Sequence, residues 1–171
     1  MGHEHGDHGG YDEVRFCPAC GGAVPGGDGP QPVCPACGRV HYRDPKVGVG
    51  VVVHDADGRL LLVRRAVPPA KGLWALPAGF VDAGEDPRVA AAREAREETG
   101  LEVEVGSVVD VYPTGLGRRG GASFFLAFRA TVRGGSLRAG DDASDVGFFP
   151  PGDLPELAFE STRDAAARSA G

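Results

Sequence analysis

The chain has 171 residues, of which 24 are acidic and 18 are Lys or Arg, so its formal net charge is −6 with His neutral. Hydrophobic residues make up 42% of the chain, which is typical of a globular domain. Runs of about 18 apolar residues are absent, and the first residues lack the basic and apolar segments of a secretory signal. These features argue against a membrane span and against a general nucleic-acid-coating role, and they predict a cytoplasmic protein.

Residues 1–14 are predicted to be a disordered tail, because they are polar and glycine-rich and offer almost nothing apolar to bury. His3, His5 and His8 lie in this tail, in an arrangement that also occurs in transition-metal sites. A flexible tail has no surrounding groups to orient metal ligands, so an adventitious sequence is the favoured interpretation.

Residues 15–44 contain all four cysteines, in two copies of the pattern Cys-Pro-Ala-Cys-Gly. Two residues between thiolates allow a tight turn to aim both sulfurs at one ion, and two such turns complete a tetrahedral site. Two disulfides are the alternative, with three connectivities. Because the sequence indicates a reducing compartment, we expect a zinc ribbon with a structural Zn²⁺. Its predicted ligands are Cys17, Cys20, Cys34 and Cys37.

Residues 46–171 are predicted to form an α/β domain with a mixed sheet, since strands and helices are interspersed. The strand candidates are apolar runs bounded by turn residues, at 47–53, 60–63, 103–111, 122–132 and 146–149. The first run is apolar throughout, which is typical of a buried strand. The second is predicted to return from a turn at 54–59, and a glycine-punctuated loop is expected to precede Asp86.

Two helices are predicted in this domain. The first spans residues 87–99, with Asp86 as N-cap, Pro87 at the first helical position and Gly100 as the left-handed residue that ends it. The second follows Leu154, with Ser161 in a near-capping box, and ends in an alanine run.

Three carboxylates share one face of the first predicted helix. At about 100° per residue, Glu94, Glu97 and Glu98 fall within an arc of about 100°. Like charges this close destabilise a helix unless something offsets them. A Mg²⁺ site and a solvated acidic face both fit this pattern. The opposite side is expected to pack on the sheet through small residues, which are Val89, Ala92, Ala95 and Thr99.

The spacing of residues 79–101 resembles a known family signature. Gly79, Glu85 and the run from Arg93 through Gly100 to Leu101 match the pattern G-x5-E-x7-R-E-U-x-E-E-x-G-U without a mismatch, where U is aliphatic. This pattern is the Nudix box. Residues 46–171 are therefore identified, by resemblance, as a member of the Nudix hydrolases.

The resemblance implies an α/β/α sandwich with a mixed sheet, which hydrolyses a nucleoside diphosphate linked to another moiety. By motif position, the three helix glutamates would ligate Mg²⁺ or Mn²⁺, often together with the backbone carbonyl before the box glycine, here that of Ala78. Arg93 would orient the glutamates, and Glu85 would hold the loop. The cations would neutralise the pyrophosphate and lower the pKa of an attacking water.

The general base is open between two locations in the family pattern. A box glutamate, Glu94 or Glu98, is our first choice. The alternative is an acid on a later loop, for which the candidates are Asp141, Asp142 and Asp145.

Resemblance to particular branches of the family narrows the range of expected substrates. NADH pyrophosphatases also carry a zinc ribbon, but their S-Q-P-W-x-F-P array has no counterpart in residues 107–115. Residues 44–46, 71–80 and 157–159 resemble instead a ribbon-bearing bacterial group and plant FAD/ADP-ribose pyrophosphatases. We therefore expect ADP-ribose or FAD as a small nucleotide substrate.

Several alternative functions stay open at this point. They are hydrolysis of NADH or NAD, RNA decapping, nucleoside triphosphate clean-up and, in another class, a non-enzymatic nucleotide sensor. The scattered arginines disfavour nucleic acid as a partner. Family members are often dimers, so the resemblance also favours a homodimer.

Five further side chains are candidates for substrate contacts. One of Arg64 and Arg65 is expected to face the phosphates, because neighbouring strand residues point to opposite sides; solvated strand-end charges are the alternative. Trp74 either stacks on a ring of the substrate or packs in the core. Arg118 and Arg119 lie on a glycine-rich loop that either closes over a phosphate or is a surface hairpin loop.

Overall fold

The structure, a computed structural model, describes residues 15–24, 31–42, 45–114 and 124–169. The predicted tail and the Arg118–Arg119 loop lie outside these ranges. The elements of the main domain are β1 (Val47–Val53), β2 (Leu60–Arg65), β3 (Trp74–Ala75), β4 (Ala78–Phe80), α1 (Pro87–Thr99), β5 (Leu101–Pro113), β6 (Phe124–Gly135), β7 (Ala143–Phe149) and α2 (Glu160–Ser169). Neither helix of the described ranges is long and apolar enough to cross a membrane.

The strands form two sheets, of which the larger is mixed. Its order is β4-β1-β6-β5, with β1 parallel to β6 and antiparallel to β4, while β5 and β6 are antiparallel. The smaller sheet is antiparallel, with the order β3-β2-β7. Because β1 has a neighbour on each side and side chains on both faces to bury, its continuous apolar run is required by its central position.

Both faces of β1 are covered by helices, which gives the α/β/α sandwich. Val49 and Val51 pack in one cluster with Ala95 of α1, and Val52 packs in a second cluster with Ala165 of α2. Alternate residues of a strand point to opposite faces, so one strand supplies both cores. Each fully buried valine contributes about 1.5 kcal/mol or more to folding. The predicted α/β fold with a mixed sheet is confirmed.

The predicted ends of α1 are also confirmed. The Asp86 carboxylate accepts a hydrogen bond from the Arg88 N–H at 2.7 Å, and Pro87 is the first helical residue. At the other end Gly100 has a φ of +70°, and its N–H donates to the Arg96 carbonyl at 2.9 Å. Both caps satisfy backbone groups that the helix itself leaves unpaired.

The predicted packing face of α1 is wrong in part. Val89 is 60% exposed, whereas Ala91 and Ala95 are buried and Glu98 is buried with them. The helix is therefore turned so that one of its carboxylates lies on the packed side. Periodicity assigns a glutamate to solvent because a buried charge is costly, and here a backbone partner on β4 compensates for part of that cost.

The turn predicted between β1 and β2 is confirmed, and the Gly58 N–H donates to the Asp55 carbonyl at 3.0 Å within it. The two strands lie in different sheets and are joined by one isolated bridge between His54 and Leu60. The glycine-punctuated loop predicted before Asp86 contains the short strand β4, and the short strand β3 lies just before that loop. Both strands are too short for a periodicity signal and are held by pairing with β2 and β1.

The start of the terminal helix was also predicted wrongly. The helix begins at Glu160, and Ser161 lies in its first turn instead of capping it. Before the helix, Leu154 and Leu157 pack against the second core cluster, and Leu157 forms a parallel bridge with Trp74. Tertiary packing of these two leucines overrides their helix propensity.

Candidate active site and cysteine cluster

Two carboxylates of α1 are held against β4. The Glu98 carboxylate accepts a hydrogen bond from the Ala78 N–H at 2.9 Å, and the residue is only 7% exposed. The Glu94 carboxylate lies so close to Gly79 that a Cβ at this position would overlap it. The glycine is therefore required by the approach of a carboxylate, and β4 brings Glu94 and Glu98 to one place.

Arg93 connects these glutamates to the preceding loop. Its Nε and Nη2 donate to the two carboxylate oxygens of Glu85, each at 3.0 Å. Its Nη1 donates to Glu94 at 2.7 Å and to Glu97 at 3.2 Å, and Nη2 also donates to the Phe80 carbonyl at 3.1 Å. A bidentate arginine–carboxylate pair is strong and directional, so Arg93 fixes the orientation of the glutamates.

The electrostatics of the site make the buried carboxylates hard to ionise. Burial raises the pKa of Glu98 from its ordinary value of 4.5 to about 7, although the hydrogen bond from the Ala78 N–H acts to lower this pKa. Burial also raises the pKa of Glu94, and the Arg93 guanidinium opposes this rise. In contrast, hydrogen bonds from Arg93 lower the pKa of Glu85. A divalent cation beside Glu94 and Glu98 would relieve both the burial cost and their repulsion.

Glu97 is less closely associated with the other two carboxylates. Its side chain is 40% exposed, and the three helix glutamates do not form a set of ligand atoms within 4.8 Å of one another. Carboxylate oxygens are nevertheless the donors that Mg²⁺ and Mn²⁺ prefer, so the residues present fit a hard cation.

The segment between β6 and β7 is bonded to the C-terminal end of α1. Three of its N–H groups donate to carbonyls of the helix end at 2.9–3.2 Å, among them that of Gly140 to the Glu98 carbonyl. This contact places the turn at Asp141 and Asp142 beside the site. The charge of Asp141 raises the pKa of Glu94, and that of Asp142 raises the pKa of Glu98. Two of the three later-loop acids are therefore close to the helix carboxylates.

The two strand-end arginines differ in their surroundings. Arg64 is opposite Asp145 in the β2–β7 pair, and its Nε donates to the Gly72 carbonyl at 2.9 Å. Arg65 is the one whose charge acts on Glu98, where it lowers the pKa. Asp145 is thus the partner of Arg64, whereas Arg65 is opposite Ala143, with a register shift between the two pairs.

Trp74 is held by the protein itself. Its ring lies edge-on to that of Phe149, with centroids 4.7 Å apart and planes at 70°, and it packs against the second core cluster. This arrangement favours the packing interpretation of Trp74 over a stacking contact with a substrate ring.

The four cysteines converge as the spacing predicts. They are the one group of three or more Cys, His, Asp or Glu in the described ranges whose ligand atoms all lie within 4.8 Å of one another. The Sγ atoms of Cys17 and Cys37 are 3.7 Å apart, and those of Cys20 and Cys34 are 3.6 Å apart. A tetrahedron with Zn–S bonds of about 2.3 Å has edges of about 3.8 Å, whereas a disulfide needs about 2.0 Å.

The backbone favours the thiolate form of one of these cysteines, Cys17. Burial acts to raise the pKa of Cys17, but hydrogen bonds from the N–H groups of Ala19 and Cys20 contribute to lowering it to about 6. A thiolate is the form that ligates zinc. Each turn is closed by a glycine with positive φ, +71° at Gly21 and +74° at Gly38, where any other residue would be strained. The cluster therefore fits zinc.

Two contributors to the site escaped the sequence analysis. The Ala78 N–H, in addition to the carbonyl expected from the family pattern, bonds the buried Glu98. The segment before Asp141 is bonded to α1, and Gly140 has no room for a Cβ because of the nearby Glu97 carbonyl. Backbone contacts between distant segments leave little trace in a sequence; the glycine at 140 was the one available signal.

The chain belongs to the Nudix family, since the NUDIX domain model matches residues 44–168. The chain is 41% identical over 119 residues to the ADP-ribose pyrophosphatase of Methanocaldococcus jannaschii, a match that covers 70% of each protein. It is 32% identical over 145 residues to the NAD-capped RNA hydrolase NudC of Stutzerimonas stutzeri, which covers 84% of this chain and 50% of that protein. The chain thus spans about half the length of this NudC relative.

Solved structures agree with this assignment. A crystal structure of a NUDIX hydrolase from Nitrosomonas europaea superimposes with a TM-score of 0.78 at 33% identity, over 91% of this chain and 90% of the other. This coverage extends beyond the matched domain, so the likeness includes part of the chain before residue 44.

Proposed function

We propose that this protein is a divalent-cation-dependent hydrolase that cleaves the diphosphate of ADP-ribose. The observation that carries the proposal is the meeting of the Glu94 and Glu98 carboxylates at β4, next to the Arg93–Glu85 pair. A solvated acidic face would not need one carboxylate buried and another packed on a glycine. Such an arrangement is costly for stability and is typical of a functional site.

The residues present would hold Mg²⁺ or Mn²⁺ through Glu94, Glu97, Glu98 and the carbonyl of Ala78. When bound, the cation supplies positive charge to the diphosphate oxygens and acidity to a bound water. Arg93 keeps Glu94 and Glu97 oriented toward one another, and Glu85 in turn restrains Arg93.

Glu98 is our proposed general base, with Glu94 as the second choice. The Ala78 N–H fixes the Glu98 carboxylate at β4, beside the position proposed for the cation and its bound water. Its carboxylate takes a proton from water, whose oxygen attacks one phosphorus in line while the bridging P–O bond breaks. The products are AMP and ribose 5-phosphate. Asp141 and Asp142 are the remaining alternatives.

ADP-ribose is favoured over other substrates by the similarity to the archaeal ADP-ribose pyrophosphatase. FAD stays in the proposal through the resemblance of residues 71–80 to plant enzymes. NAD-capped RNA is the second candidate, because the matches to NudC proteins extend over 84% of the chain or more.

We further propose that Zn²⁺ occupies the cysteine cluster and that the protein is cytoplasmic, which the four unbridged cysteines support. The homodimer and the division into tail, ribbon and Nudix domain stay predictions.

The test is hydrolysis of a substrate panel with Mg²⁺ or Mn²⁺, read by chromatography as the released nucleoside monophosphate or, for NAD-capped RNA, as released nicotinamide mononucleotide. The panel contains ADP-ribose, FAD, NADH, NAD⁺, nucleoside triphosphates and NAD-capped RNA. Glu98→Gln should reduce kcat by about 10²-fold or more, whereas the matched control Glu104→Gln, on the exposed Arg133 ion pair, should retain it. Preference for NADH or capped RNA would overturn the choice of ADP-ribose. Tight binding of a nucleotide without turnover would show that the protein is a nucleotide sensor instead of an enzyme.

A further inference from the structure

One guanidinium beside the site is held from two directions. The Nε of Arg65 donates to the Pro69 carbonyl at 2.7 Å, and its Cζ lies 5.2 Å from the centroid of the Phe159 ring. These contacts use Nε and one face of the guanidinium, and neither uses the terminal nitrogens Nη1 and Nη2. The Ala66 N–H donates to the Asp142 carbonyl at 2.7 Å, so the end of β2 that carries Arg65 adjoins the turn that is bonded to α1 at Glu98.

The main chain places Phe159 in this position. The Trp74 N–H donates to the Glu156 carbonyl at 3.0 Å, and the Ala158 N–H donates to the Trp74 carbonyl at 2.7 Å. The segment before α2 thus pairs with β3, which itself pairs with β2 next to Arg65. This segment was predicted to be helical, and a helix from Leu154 would not make these β3 bonds.

Phe159 is not part of either large hydrophobic core cluster. Its residue is 37% exposed, and it belongs to neither of the two large core clusters, although Leu157 does. An aromatic face exposed at the surface and stacked under a guanidinium makes a cation–π contact, which favours arginine over other cations. The ring therefore restricts the rotamers of an otherwise mobile side chain.

We propose that Arg65 binds the substrate diphosphate and that Phe159 is a positioning residue, which holds the Arg65 guanidinium for that contact. The proposal deepens the proposed function and rests on it for the identity of the site. Two terminal N–H donors in a plane match two phosphate oxygens, and an arginine ordered in advance loses less entropy when the ligand binds. The C-terminal segment, although distant in sequence from the box, becomes part of the substrate site.

Steady-state kinetics with ADP-ribose separate these roles. Arg65→Gln should raise KM by about 10- to 100-fold with a smaller change in kcat, because the contact is made before and during reaction. Phe159→Leu should raise KM by about three- to tenfold, and Phe159→Tyr should restore it, since both aromatic rings offer a π-face. In an Arg65→Gln background, Phe159→Leu should have no further effect.

A binding measurement makes the test independent of turnover. Titration calorimetry with inorganic pyrophosphate and Ca²⁺ should rank the affinities as the KM values do. Wild type and Phe159→Tyr should bind most tightly, Phe159→Leu less tightly and Arg65→Gln most weakly. Arg133→Gln, which removes an exposed strand arginine paired with Glu104, controls for the lost charge. If ADP-ribose is not hydrolysed but pyrophosphate binding follows this order, ADP-ribose is refuted as the substrate, and diphosphate binding by Arg65 is still supported.

Three results would overturn the inference. The first is equal pyrophosphate binding by wild type and Arg65→Gln, or no binding by the wild type. The second is an equal loss of affinity in Arg64→Gln, which would show that only the charge of the strand end matters. The third is an additive effect of Phe159→Leu in the Arg65→Gln background, which would show that the ring acts elsewhere.

Discussion

Replacing Glu98 by glutamine should make the cation-free protein more stable at alkaline pH although it lowers kcat. The folded-state pKa of Glu98 is raised from 4.5 to about 7, so its contribution to stability is fully present below pH 4.5 and is lost as the pH rises through 7. At pH 8 this linkage costs the wild type about 3 kcal/mol, and at pH 5 less than about 1 kcal/mol. A glutamine carbonyl still accepts the Ala78 N–H and carries no charge.

Thermal unfolding in EDTA at pH 5 and pH 8 measures this difference. We expect Glu98→Gln to melt about 6–12 °C above the wild type at pH 8, and close to it at pH 5. Added Mn²⁺ should raise the melting temperature of the wild type more than that of the variant, because it binds the ionised carboxylate. Glu160→Gln, on an exposed glutamate of α2, should shift neither value. Equal melting temperatures at pH 8, or a variant less stable at both pH values, would refute the reasoning.

Three other substitutions test separate parts of the structure. Gly79→Ala should reduce kcat by at least about tenfold, because the added Cβ displaces the Glu94 carboxylate. The melting temperature should change little. Unchanged kinetics would contradict the close approach of Glu94 to residue 79. Gly100→Ala should lower the free energy of unfolding by about 2 kcal/mol in urea titrations, since its φ is +70°, and a loss below about 0.5 kcal/mol would contradict this. Cys34→Ser should remove the zinc found by metal analysis of the purified protein and expose the neighbouring segment to protease; full zinc occupancy would argue against Cys34 as a ligand.

Much of α1 and of the cysteine cluster was predictable because their signals are local. Asp86, Pro87 and Gly100 act within one turn of the helix ends, so neighbouring residues are enough to place both caps. The spacing of two residues within each cysteine pair likewise determines a turn. In contrast, β4 has three residues, and it exists because it pairs with β1. No pattern within three residues predicts such a strand.

The environment of each side chain needed the assembled fold. Periodicity predicts that Glu98 is on helix α1 and polar, but it cannot supply the Ala78 N–H that compensates for part of the cost of burying it. The two arginines at the end of β2 are equivalent in sequence, and only Arg65 is reached by Phe159.

The sequence by itself determined the family, the box spacing, the main strands and the caps, because these depend on residue type and on neighbours within a few positions. The tertiary structure alone decided which carboxylate is buried and which arginine stacks on Phe159. Solvation and hydrogen-bond partners set a group's pKa and orientation, and here both come from segments far apart in the chain.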